Sequence, residues 1–94
     1  MNTDEIALHL RSTFERHSVI RAALFGSYAR REEKEDSDID IVVELPSDKS
    51  LLDLISLKLD LEEALGREVD VLTYRSLHRG IREKILQEQV VIHG

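Results

Sequence analysis

A chain of 94 residues has room for one small core, and its mix of 41% hydrophobic and 34% charged residues excludes a disordered polar tract. A formal net charge of -6 disfavours nonspecific attachment to nucleic acid or an anionic membrane, and the lack of cysteine excludes disulfides and thiolate metal sites. Asp4 and Glu5 stand where a secretory leader would be basic and no run reaches membrane-spanning length, so the expectation is a cytoplasmic protein with a single domain over residues 1–94.

The first element is a helix: Asn2, Thr3 and Asp4 can cap it, and Ile6, Ala7, Leu10 and Phe14 recur at helical spacing as far as about Arg16 or His17. Val19 to Phe25 reads as a strand stopped by Gly26-Ser27. Residues 28 to 37 are highly charged and predict a helical turn followed by a solvated loop. Asp38 to Leu45 is a second strand, ended by Pro46, which cannot donate to a ladder.

Ser47 or Asp48 can cap a long helix from about Lys49 to Leu65, with Gly66 as its stop. Its leucines and Ile55 cover about two-thirds of the circumference, more than one sheet face requires. Either the helix is deeply buried or one flank docks a second protein. Arg67 to Tyr74 predicts a third strand, Ser76 to Gln87 a helix weakened by Gly80, and Val90 to Ile92 a last strand. The order implies an α/β fold with helices packed on a mixed β-sheet.

The chemistry gathers on two strands. Alternation in Asp38-Ile39-Asp40-Ile41-Val42 puts Asp38 and Asp40 on one face, with Val42 beyond them and Ile39 and Ile41 opposite. Side chains two apart on a strand are about 7 Å apart, close enough to converge on two cations held about 3.5–4 Å apart. In Val69-Asp70-Val71-Leu72 a single acid again interrupts an apolar segment, which is costly unless it is paired or bound to metal. If the two strands are neighbours, Asp70 joins the cluster. The oxygen donors suit Mg2+ or Mn2+ better than Zn2+. Gly26-Ser27, turning from the first strand, can offer backbone N–H groups and a hydroxyl to phosphates, and Arg30 can add positive charge one turn later.

Gly-Ser-Tyr-Ala-Arg (26 to 30), Ser-Asp-Ile-Asp-Ile-Val-Val (37 to 43) and Val-Asp-Val-Leu-Thr (69 to 73) together resemble the minimal nucleotidyltransferase branch of the DNA polymerase beta superfamily. The resemblance spans essentially the whole chain and implies the polymerase beta-like nucleotidyltransferase fold. By it, Gly26 and Ser27 bind the triphosphate, Asp38 and Asp40 ligate two Mg2+ ions, and Asp70 completes the site and helps activate the incoming hydroxyl. It also implies ATP as substrate and a HEPN-domain toxin as partner. Members of this size are commonly antitoxins, and some attach AMP to a toxin tyrosine, as in a type VII-like pair. One position departs from the pattern: where the family often has Gly after the arginine, this chain has Arg31, followed by the charged run Glu32 to Asp36.

Other features carry less. His9, His17, His78 and His93 have no metal-ligand spacing and read as exposed side chains, and Ser27 lacks a nearby activator for hydrolase chemistry. Neither a Walker A loop nor a dinucleotide glycine fingerprint is present. Arg75, His78, Arg79, Arg82 and Lys84 read as a solvated helix face or as a contact for the triphosphate or an acidic partner. Two other functions compete with AMP transfer to a protein hydroxyl: neutralisation of a toxin by binding alone, and transfer to a small molecule or an RNA end.

Overall fold

The computed structural model describes residues 2–31 and 38–94. The elements run α1 (Thr3–Arg16), β1 (Arg21–Phe25), β2 (Ile39–Glu44), α2 (Leu51–Leu65), β3 (Val69–Thr73), a 3-10 turn (Tyr74–Ser76), α3 (Arg79–Glu88) and β4 (Val90–His93). The run Glu32 to Ser37, where a solvated loop was expected, lies outside the described residues.

Each helix has a local cause. The Asn2 side chain accepts the Glu5 N–H at 2.9 Å and starts α1, with Asp4 and Glu5 in the first turn where the helix dipole favours them. α2 is capped by Ser50, not by Ser47 or Asp48 as expected. The Asp53 N–H donates to Ser50 Oγ while the Ser50 N–H donates to Asp53 Oδ2, a reciprocal capping box. Before it, the Lys49 N–H closes a turn on the Pro46 carbonyl at 3.1 Å, so the helix begins two residues later than expected. Gly66, at φ 67°, ends it in the left-handed region.

Two further boundaries differ from expectation for similar reasons. β1 begins at Arg21 because the chain is still leaving α1 before it: Ser18 has φ 58° and the Val19 N–H donates back to the Phe14 carbonyl. α3 begins at Arg79 because Thr73 caps the 3-10 turn through Ser76, after which Leu77 and His78 are extended. Gly80 therefore sits in the first turn of α3, not in its interior, where it costs less.

The sheet has strand order β3-β2-β1-β4. β1 pairs antiparallel with β2 and β4, while β2 and β3 run parallel, which makes the sheet mixed as the sequence predicts. One face is closed by α1 and α2: Ile6, Leu10, Phe14, Leu57 and Leu61 are fully buried against Leu24, Ile39, Ile41 and Val43. Burying side chains of this size contributes about 1.5–3 kcal/mol each. The other face is covered only in part, where Ile85 of α3 and Tyr74 pack on Ala23 and Val42. No helix among the described residues is long and apolar enough to cross a membrane.

The histidines correct the sequence reading. His17 is partly buried and its Nε2 meets Asp60 Oδ2 at 2.6 Å, tying α1 to α2. His93 lies against the Phe14 ring, centroids 5.2 Å apart, with Nε2 3.1 Å from the Val19 carbonyl oxygen. Both fasten the closed face, and only His9 and His78 are exposed.

Candidate active site

Alternation decides which side chains reach the open face. In β2, Ile39, Ile41 and Val43 go into the main core, so Asp40 and Val42 face the other way, and in β3 Val69 and Val71 do the same for Asp70. The parallel register then sets Asp40 directly opposite Asp70. The Asp70 carboxyl is close enough to act on Asp40 both by its charge and as a hydrogen-bond partner. Burial, the Asp70 charge and hydrogen bond, and the charge of Asp38 push the Asp40 carboxyl up to about 6, with Arg30 acting in the opposite direction.

The turn after β1 arrives at the same corner because Phe25 is paired with Asp40 across the antiparallel ladder. Gly26 has φ 70°, and a Cβ there would lie 2.5 Å from Asp40 Oδ2. Glycine is thus required twice, by the backbone conformation and by contact with the acid. The expected helical turn is a single one: the Arg30 N–H donates to the Gly26 carbonyl at 3.1 Å. Arg30 also approaches Glu88 of α3, Nη1 to Oε2 at 3.9 Å. Arg31 has φ 58°, in the left-handed region, where glycine would sit without strain.

Asp38 stands one residue ahead of the ladder and is exposed, and its charge reaches Asp40. Among the described residues no three acidic or histidine side chains already form a closed metal cage. The chemistry of the donors nonetheless fits a hard divalent cation. Two carboxyls face each other, and the repulsion that raises the Asp40 pKa is what a bound cation would relieve.

Sequence reasoning overlooked the support of this corner. Tyr28 is buried although it sits in the phosphate-side motif, and Arg67 Nη1 donates to its hydroxyl at 2.5 Å. Glu62 of α2 accepts the Val69 N–H at 3.0 Å and fixes the start of β3, one residue before Asp70. The signal for Tyr28 was an aromatic residue inside a polar turn in a chain with few aromatics; the Glu62 contact depends on tertiary packing and left no local signal.

Carboxylates facing each other across a parallel ladder, beside a glycine turn at the end of an antiparallel neighbour, define the nucleotidyltransferase class. The family model described as "Polymerase beta, Nucleotidyltransferase" matches residues 9–94, and the chain belongs to this family, in its minimal nucleotidyltransferase branch. A Methanocaldococcus jannaschii protein provisionally named a protein adenylyltransferase is 56% identical over 90 residues, 96% of this chain and 97% of that protein. Protein adenylyltransferase MntA of Thermococcus cleftensis is 41% identical over 87 residues, 93% of this chain and 88% of its own. A solved structure provisionally described as a minimal nucleotidyltransferase superimposes with a TM-score of 0.83 at 38% identity, covering 96% of this chain and 95% of that one. A chain of a toxin–antitoxin crystal structure with AMP-PNP gives a TM-score of 0.76 at 26% identity, covering all of this chain (100%) and 74% of that one.

Proposed function

We propose that this domain, residues 1–94 acting as one unit, transfers AMP from ATP to a hydroxyl of a protein partner, a tyrosine of a HEPN-domain toxin, and so serves as the antitoxin of the pair. The observation that carries the reading is the Asp40–Asp70 carboxyl pair, with Asp40 held against Gly26. The names of the relatives support adenylyl transfer to protein, and the toxin–antitoxin neighbour with AMP-PNP supports both the nucleotide and the partner. ATP and such a toxin meet in the cytoplasm.

In this reading the turn at Gly26 and Ser27 receives the triphosphate, and Arg30 offsets its negative charge. The acceptor oxygen bonds to the α-phosphorus, the bond to the β-phosphate oxygen breaks, and pyrophosphate leaves. Asp70 orients the hydroxyl and takes its proton. Asp38, Asp40 and Asp70 would hold two Mg2+ ions, which supply neutralising charge and lower the pKa of the attacking hydroxyl.

Labelled ATP incubated with the HEPN partner tests the assignment: label passes to the partner with the native chain and not with Asp38→Asn or Asp40→Asn. Label that persists in both variants refutes it. A second reading, neutralisation by binding alone, is favoured by one observation, the exposed apolar flank of α2, where Leu51, Leu52 and Leu59 are 71%, 76% and 59% exposed. It predicts that the Asp38, Asp40 double variant still neutralises the toxin.

A further inference from the structure

The strands that carry the acids at one end open at the other into a cleft of about 690 Å3, between the β2–α2 connection, the 3-10 turn and α3. Its walls hold Arg21, Lys49, Arg75 and Arg82, brought together from four separate segments, against a single acid, Glu44. Among the described residues none of these four cations lies within ion-pair distance of a carboxylate, unlike Arg11, Arg16, Arg30 and Arg79. A chain with a net charge of -6 thus keeps one concave positive surface, next to the N-terminal end of α2, whose dipole adds to it.

The same cleft is lined by Leu51, Leu54 and Leu86, and from Leu51 the apolar flank of α2 continues outward through Leu52 and Ile55. Apolar contacts bordered by cations fit an acidic peptide with apolar anchors. They fit nucleic acid poorly, since the one aromatic ring in the wall, Tyr74, is buried, has the Arg21 guanidinium over its face and spends its hydroxyl on Gln89.

We propose that this cleft is the docking groove for an acidic, apolar-anchored segment of the protein acceptor, an inference that rests on the reading of the chain as a protein adenylyltransferase. The four residue steps from Asp40 to Glu44 span about 13 Å, so a partner seated in the groove can present a hydroxyl to the acids through a short stretch of its own chain.

Arg75 and Arg82 are exposed, so reversing them leaves the core intact. With the full chain and the HEPN partner, Arg75→Glu combined with Arg82→Glu raises KM for the partner at least tenfold, while kcat and KM for ATP stay within twofold. Hydrogen exchange in the native complex, measured without nucleotide, slows over residues 49–55 and 74–82. An unchanged partner KM, or a complex whose protection falls elsewhere, overturns the groove. If a complex forms but no AMP is transferred, adenylyl transfer fails and the exchange map alone still decides the groove. Tight binding of a single-stranded oligoribonucleotide or of inorganic triphosphate by the native chain, lost in the double variant, assigns the cleft to phosphate and overturns the peptide.

Discussion

Under α1 and α2 the sheet presents Ile39, Ile41, Val43 and Val69, all essentially without solvent exposure, whereas the residues alternating with them on the other face include Asp40, Asp70 and a 40% exposed Leu72. Both faces belong to the same strands and share every backbone hydrogen bond, so the contrast comes from side chains alone. On the closed face the leucines and isoleucines hold the fold together. On the open face two acids are forced together at some cost to the fold, which persists because the first face is so well buried.

The largest break in this contrast is chemical. Asp40→Asn or Asp70→Asn is expected to lower AMP transfer about a hundred- to a thousandfold, the order by which removal of a key charge-stabilising group slows enzymes, with an unchanged circular dichroism spectrum. On the opposite face, Leu61→Ala should cost about 2–5 kcal/mol in urea unfolding and reduce activity only through the loss of folded protein.

Gly26→Ala joins the two faces, because it loads the backbone and pushes on Asp40. It is expected to destabilise by about 1–2 kcal/mol and also to lower transfer, since the contact of 2.5 Å to Asp40 Oδ2 has to open. Asp40 itself should show the reverse trend in stability. A carboxyl raised from 3.8 to about 6 binds its proton more tightly in the folded state, so its contribution is fully present below pH 3.8 and is lost as pH rises through about 6. Asp40→Asn should therefore raise metal-free stability at pH 7.5 by about 1 kcal/mol, allowing for solvent screening of a partly exposed group, and flatten the decline between pH 4 and 6. The smallest expected effect is at Arg31, where Gly removes a strained φ of 58°. The gain is at most about 1 kcal/mol, partly offset by the greater entropy of glycine in the unfolded chain.

Alternation made the two faces legible before any coordinates, because a period of two leaves Asp40 no choice but the side opposite Ile39 and Ile41. Gly66 was equally plain, since few residues accept a left-handed helix end. The pairing of Asp40 with Asp70 was legible only as a condition, because nothing local states which strands are neighbours. Helix starts proved hardest: Ser47, Asp48 and Ser50 can all cap, and the reciprocal bond with Asp53 decides among them. The partly buried His17 and His93, and the cleft around Arg21 and Arg82, depend on segments far apart in sequence, and no spacing rule reveals them.

Manganese binding followed by electron paramagnetic resonance tests most directly whether the two facing acids exist to share a cation. The native chain should bind Mn2+, and Asp40→Asn and Asp70→Asn should each weaken that binding at least tenfold with the fold unchanged. Retention of native affinity by either variant would contradict the account.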